Sequence, residues 1–276
     1  DPVKIELARQ LGAAGVILLK DKLTHAYAKE QVPLGVLHLK REVFRRAWRS
    51  RGHRLKLRVE AAVASIETQN VLGYVPGREP DSPAVIFCAH YDHLGRIGPA
   101  VFAGANDNAS GVALLLSLAR HYAQLPPAER PAHPLVFIAF GGEESGLDGS
   151  RYYAGEAPRV PLSETALVLD FDLWGYGEEG ARVVAAPDFP HRFRALKAAR
   201  ETAGRSFPLK PRKNTHNSDH YPFTKRGVPA FFFYALGGKP YYHDVYDRPE
   251  ELSLAGFWPF RQMLITYLQG PLQLPE

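Results

Sequence analysis

Apolar positions along this chain follow two rhythms, and the alternation between them predicts most of the architecture. Ala84 to Ala89, Leu135 to Phe140, Ala166 to Leu169 and Val228 to Tyr234 are short runs with almost no polar interruption. A strand with one wet face would alternate, so unbroken runs of this length read as strands buried on both faces. Between them the apolar spacing lengthens to that of a helix. Val112, Leu114, Leu115, Leu116, Leu118 and Ala119 mark a helix from near Gly111 to about Gln124, apolar nearly all round and so expected to lie against a sheet. Ser110 is its expected cap, and Pro126 and Pro127 stop it. Phe193, Leu196, Ala199 and Ala203 mark a second helix over His191 to Ala203, and Gly149 to Ala154 and Leu254 to Leu268 are two more. Gln69 to Val75 and the alternating stretch Leu55 to Ile66 read as strands ahead of the first buried run, and Val183 to Ala186 as a weaker one. Leu209 to His220 is polar and reads as a mobile loop over something. Strands alternating with helices predict an α/β fold with a mixed, largely parallel central sheet flanked by helices.

The first residues are patterned differently. Ile5, Leu7, Ala8 and Leu11 share one side of a short helix that Gly12 and Gly15 end. Gly15 to Leu19 and Val32 to Leu39 read as strands, and Arg41 to Arg49 as a helix. The expected organisation is a small N-terminal appendage, residues 1–50, and a main domain, residues 51–276. The appendage resembles the latter part of a protease-associated domain, the small β-rich insert of many secreted and membrane peptidases.

Composition narrows this picture without redirecting it. With 276 residues, 45% of them hydrophobic, a sizeable core is available. No window approaches the ~18 uninterrupted apolar residues of a membrane span. One cysteine, Cys88, excludes an intrachain disulfide and any multi-cysteine zinc site, and its apolar surroundings make it a core residue. The net charge of +5 is modest, and the basic residues from Lys40 to Arg58 come without aromatic platforms, so they read as a solvated helix face and nucleic acid is not an expected partner. The chain opens at Asp1 with no Met, basic n-region or apolar h-region, so an export signal is expected to lie upstream or to have been removed.

The candidate chemistry lies where the apolar runs stop. His90, with Tyr91, Asp92 and His93 behind it, follows the first run; Gly141-Gly142-Glu143-Glu144 follows the second; Asp170-Phe171-Asp172 follows the third; and Tyr241-Tyr242-His243 comes a glycine loop after the fourth. Parallel α/β sheets bind ligands beyond the carboxyl ends of their strands. Adjacent acids repel, so Glu143 and Glu144 predict something positive at that end of the sheet. Asp107 lies in the glycine-rich stretch Gly95 to Asn108. Taken singly these residues have plain readings: Asp107 as a turn acid, Glu143 and Glu144 as the opening of a helix, His90 as a satisfied polar residue. Together, histidines and carboxylates without cysteine describe a site for a hard or borderline divalent ion, zinc above all. Five ligands suit two metals if one carboxylate bridges. His93 and His216 read as surface residues.

At this point the motifs resemble a family closely. His90-Tyr91-Asp92, Gly104-Ala105-Asn106-Asp107-Asn108-Ala109-Ser110-Gly111, Gly142-Glu143-Glu144-Ser145-Gly146-Leu147-Asp148-Gly149-Ser150, Asp172-Leu173-Trp174-Gly175, Ser218-Asp219-His220, and Tyr242-His243 through Asp247 resemble, in order, the co-catalytic di-zinc aminopeptidases. These are the bacterial leucyl aminopeptidases and their relatives, glutamate carboxypeptidase II among them. The resemblance implies a fold of zinc-exopeptidase type and two Zn2+ ions, one on His90, Asp107 and Asp172, the other on Asp107, Glu144 and His243, with Asp107 as the bridge. It implies Glu143 as general base, Asp92 as the residue that orients His90, and Tyr242 as a donor to the oxyanion. His220 is not an implied ligand. Asp170 departs from the pattern, since relatives commonly carry Asn there, and the extra acid is expected to disturb the local pKa balance.

The implied function is that of a zinc-dependent exopeptidase, an aminopeptidase acting on peptides with a free N-terminus, secreted or periplasmic. Asp170 or Glu143 would attract the α-ammonium group. Phe223, Phe231, Phe232, Phe233, Tyr234 and Tyr241 offer apolar material for a side-chain pocket, although the Phe231 to Phe233 run reads first as core strand. Two alternatives share the fold: a single-zinc enzyme resembling glutaminyl cyclases, and a non-catalytic binding protein such as a receptor-like ectodomain. The intact Glu143 and the full ligand set argue against the second.

Overall fold

Every unbroken apolar run becomes a strand of one sheet in the computed structural model, which describes residues 2–24, 31–48, 56, 58, 60, 62–156, 158–204, 207–270 and 272. The chain divides into two units, Asp1–Glu67 and Thr68–Glu276. The smaller carries α1 (Pro2–Gln10), β1 (Gly15–Lys20), β2 (Gly35–Lys40) and α2 (Arg41–Ala47), with β1 and β2 paired in parallel. The alternating stretch from Leu55 to Ile66 yields no strand among its described residues; Leu55, Leu57, Val59 and Ala61 lie outside them, and Ala62 to Ile66 are exposed.

The larger unit runs β3 (Val71–Val75), β4 (Ala84–His90), β5 (Gly95–Ile97), β6 (Ala100–Phe102), α3 (Ser110–Gln124), β7 (Leu135–Phe140), α4 (Asp148–Gly155), β8 (Thr165–Phe171), β9 (Ala181–Val184), α5 (Pro190–Thr202), β10 (Leu209–Arg212), α6 (Tyr221–Thr224), β11 (Ala230–Ala235) and α7 (Phe257–Gln269). Seven strands form one sheet in the order β10-β9-β11-β8-β4-β7-β3. The middle is parallel, while β3 on β7 and β9 on β11 are antiparallel. The predicted mixed, largely parallel sheet is the one found. β5 and β6 pair as a small hairpin within the glycine-rich stretch.

Because neighbouring side chains of a strand point to opposite faces, each buried run feeds two cores. Val85, Phe87, Phe137, Leu169, Phe171, Phe231 and Phe233 pack with Leu114 and Leu118 of α3, Leu196 of α5 and Phe260 and Leu264 of α7. Ile86, Cys88, Val136, Ile138 and Val168 pack with Tyr153 of α4 and Phe223 of α6. Phe231, Phe232, Phe233 and Phe223 are therefore core, not pocket lining. α3 is less apolar in use than in sequence: Leu116 is 62% exposed. Ser110 does not cap it. Its hydroxyl donates back to the Asn106 carbonyl at 2.7 Å and accepts the Trp174 N–H at 2.7 Å.

Leu209 to His220 also differs from expectation. Its first residues are the edge strand β10, and Ser218, Asp219 and His220 at its far end are fully buried. Only Leu209 of β10 faces inward, which is too little apolar signal for the strand to be legible in sequence.

Trp174 carries much of the larger core. Its ring stacks on Phe260 at 3.8 Å between centroids, and its Nε1–H donates to the Phe233 carbonyl at 3.1 Å. Phe260→Ala is expected to cost about 3–5 kcal/mol, whereas Leu116→Ala on the wet side of α3 should cost roughly 0.5 kcal/mol or less. Denaturant unfolding of the two variants measures both, and equal losses would contradict this packing.

Candidate metal centre

The sheet delivers three of the candidate segments side by side. β8, β4 and β7 are neighbours, with Cys88 opposite Asp170 and His90 opposite Phe140, so His90, Asp172 and the Glu143–Glu144 pair leave adjacent strand ends. Asp107 enters from the turn before α3, and His243 from the loop after β11, where it adopts a left-handed backbone (φ 54°). His90 Nε2 lies 3.3 Å from Asp107 Oδ1 and 3.4 Å from Asp172 Oδ1. His243 Nε2 lies 3.3 Å from Asp107 Oδ2 and 3.1 Å from Glu144 Oε2. Each oxygen of Asp107 thus faces a different histidine.

These distances fit metal ligands. Tetrahedral donors about 2.0 Å from a zinc ion stand about 3.3 Å from one another. His90 Nε2, Asp107 Oδ2 and Asp172 Oδ1 are buried and have no partner in hydrogen-bond geometry among the described residues. Buried polar atoms are normally satisfied, so three of them converging is the arrangement an ion would complete. His90, Asp107 and Asp172 form one group able to hold a metal, and His93, Asp107 and Glu144 a second.

Polar groups of the surrounding loops hold the candidate ligands in place. His90 Nδ1 bonds the Asp92 carbonyl at 3.0 Å, while the Asp92 carboxylate accepts the N–H groups of Glu143 (3.1 Å) and Glu144 (3.2 Å). Asn108 Oδ1 accepts from Gly111 and Leu173, its Nδ2 donates to the Phe171 carbonyl, and Asn106 Oδ1 accepts from Gly175. The segment carrying Asp107 is thereby tied to the one carrying Asp172. Gly111 permits this, since a Cβ there would stand 2.2 Å from Asn108 Oδ1.

These groups shift one another's proton affinity. Burial lifts Glu143 to about 10, with Asp219 and Asp172 adding to it against His90. Burial likewise lifts Asp172 to about 6. Burial opposes charge on His243, yet the facing carboxylates of Asp107 and Glu144 raise it to about 9. His90 is also raised, burial being outweighed by Asp172 and Asp107. Asp107 and Glu144 are held low despite burial, the first by His243 and His90, the second by His243 and His93.

Several placements were not foreseen. His93 is no surface residue: its ring packs against Gly104, and its Nδ1 lies 2.8 Å from Glu144 Oε1. The only sequence signal was its position three residues after His90. Asp170 is 1% exposed and turned to the main chain, accepting the His220 N–H at 3.0 Å with the Cys88 thiol at 3.6 Å. Its neighbour Asp219 takes the Ser150 hydroxyl at 2.5 Å and is raised well above an ordinary carboxylate by burial and then by Asp170. His216 stacks on Tyr221 at the surface, as expected. Tyr242 is 55% exposed and stacked on His243.

A largely parallel α/β sheet with imidazoles and carboxylates gathered at its central strand ends defines the zinc-exopeptidase fold class. The sequence pattern of peptidase family M28 matches residues 70–268, and the chain belongs to that family. It is 26% identical over 265 residues to aminopeptidase YwaD of Bacillus subtilis (strain 168), covering 91% of this chain and 55% of that protein. The chain therefore spans about half the length of that relative. The fold is similar to that of BSAP, a zinc aminopeptidase from Bacillus subtilis, with a TM-score of 0.73 at 23% identity over 96% of this chain and 65% of the other. It is also similar to an Acidobacteriales bacterium glutaminyl cyclase, with a TM-score of 0.62 at 21% identity over 72% of each chain. No helix among the described residues is long and apolar enough to cross a membrane.

Imidazoles bind metal only when neutral, so a zinc ion taken up on His243 would displace a proton held there up to about 9. Zinc uptake at neutral pH is expected to release protons, and affinity to rise as pH is raised toward that value. Calorimetric titrations in buffers of different ionisation heat measure this; equal heats would contradict it.

Proposed function

We propose that the protein is a di-zinc aminopeptidase that removes N-terminal residues from peptides. The observation that carries the reading is Asp107, whose two oxygens face two different imidazoles at matching distances. In this reading His90, Asp107 and Asp172 would hold one ion, and Asp107, Glu144 and His243 the other. When bound, the ions supply Lewis-acid polarisation of the scissile carbonyl and make water more acidic.

The chain's own residues supply the rest. Glu143, whose raised proton affinity would fall beside bound cations, takes the proton of the attacking water and returns it to the leaving amine. Its backbone N–H is fixed by Asp92, which leaves the carboxylate to move a proton while the backbone stays put. Asp92 serves twice, orienting His90 through its carbonyl and the acid pair through its carboxylate. Tyr242, beside His243, donates to the oxyanion. Attraction of the substrate's α-ammonium falls to Glu143 and not to Asp170, whose carboxylate is turned to the main chain. The family likeness and the resemblance of the appendage to part of a protease-associated domain also support export, which fractionation of the producing cell tests.

Glu143→Gln should lower kcat by about 10²–10⁴-fold while retaining zinc. Wild-type protein should hold two zinc ions and cleave aminoacyl anilides but not their N-acetylated forms. Undiminished turnover in the variant would remove Glu143 as base. One ion per chain, with cyclisation of N-terminal glutamine, would favour the cyclase reading.

A further inference from the structure

The segment after His243 holds a carboxylate that the proposed chemistry leaves without a task. Asp247 is 1% exposed, and a buried carboxylate is costly unless its oxygens are satisfied. They are satisfied by main chain. Its Oδ1 accepts the Asn106 N–H at 2.8 Å, its Oδ2 the Asp107 N–H at 3.0 Å, and its carbonyl oxygen the Ala105 N–H at 3.3 Å. Three consecutive peptide N–H groups therefore end on one residue. On its other side, Asp247 is joined to His243 by two linked turns: Asp244 N–H bonds the Tyr241 carbonyl at 3.0 Å, and Asp247 N–H the Asp244 carbonyl at 3.1 Å.

We propose that Asp247 is a positioning residue that clamps the segment bearing Asp107 to the loop bearing His243, setting the separation of these two ligands before any ion arrives. The proposal rests on the metal-centre reading above. Asp107 departs from helical backbone geometry between two helical turns (φ −113°, ψ 86°), so nothing in the helix itself orients its side chain. With its N–H fixed, the carboxylate can swing only about its own side-chain bonds. The Asp92 carboxylate takes the two N–H groups of Glu143 and Glu144 in the same manner. Both are carboxylates that hold ligand-bearing backbone without meeting the ion.

The test compares the wild-type chain with Asp247→Asn and Asp247→Glu. Each is stripped of metal, melted in that state, and titrated with zinc against a chromogenic chelator. Asn keeps the size but turns an amide toward one of the two N–H donors, and Glu keeps the charge but not the reach. Zinc affinity is expected to fall about 10–100-fold in both. Wild-type affinity in Asp247→Asn, even with a lowered melting temperature, would reduce Asp247 to a loop brace and overturn the proposal. Wild-type affinity in Asp247→Glu would show that charge alone matters and would also overturn it. Hydrogen exchange on metal-free wild-type protein covers the case in which neither variant folds: the Asn106 and Asp107 amides should be protected, and exchange at free-peptide rates would sink the clamp. Failure of the wild type itself to bind zinc is a separate result, which would remove the metal-centre reading and this inference with it.

Discussion

Like charges cannot be gathered in a buried place by packing alone, and that constraint governs this structure. Asp107, Asp172, Glu143 and Glu144 converge on His90 and His243 at the end of the sheet. Their mutual repulsion, relieved in part by the raised proton affinities of Glu143, His90 and His243, works to drive the loops apart. What opposes it is a set of hydrogen bonds from side chains to main chain. Asp92 holds the turn after β7, Asp247 holds the turn before α3, and Asn106, Asn108 and Ser110 hold the segment after β8. The candidate ligands face inward because their backbones are secured from behind.

The same bonds tie the site to the core. Trp174 follows Asp172 by two residues; its N–H is held by Ser110 while its ring stacks on Phe260 of α7. Gly111 lets the first turn of α3 press on Asn108 and on the Phe171 carbonyl with no side chain between. Loss of packing around Trp174 would therefore reach Asp172 through one short stretch of chain.

What could be read in the sequence follows from which physical signals are local. Ala84 to Ala89 and Leu135 to Phe140 announced themselves because strands buried on both faces leave no polar residue to confuse the pattern. His90, Glu143, Glu144 and Asp172 were legible because each breaks such a run. Leu209 to Arg212 was not, since an edge strand with one buried side chain looks like loop. Ser110 showed the residue type of a cap, yet its hydroxyl is used across the fold by Trp174, a contact without any local trace. His93 was hidden for the same reason, its partner Glu144 lying 51 residues away. Asp247 could be quoted within a motif but not given work, because both partners of its carboxylate are peptide groups some 140 residues distant.

The order β8-β4-β7 has one more consequence. Asp172, His90 and Glu144 leave three consecutive strands, whose spacing of about 4.8 Å is set by the peptide hydrogen bonds that join them. The sheet thus acts as a ruler beneath the site. The spacing of the strand ends from which these residues depart is inherited from the pitch of the backbone ladder, a length common to all β-structure.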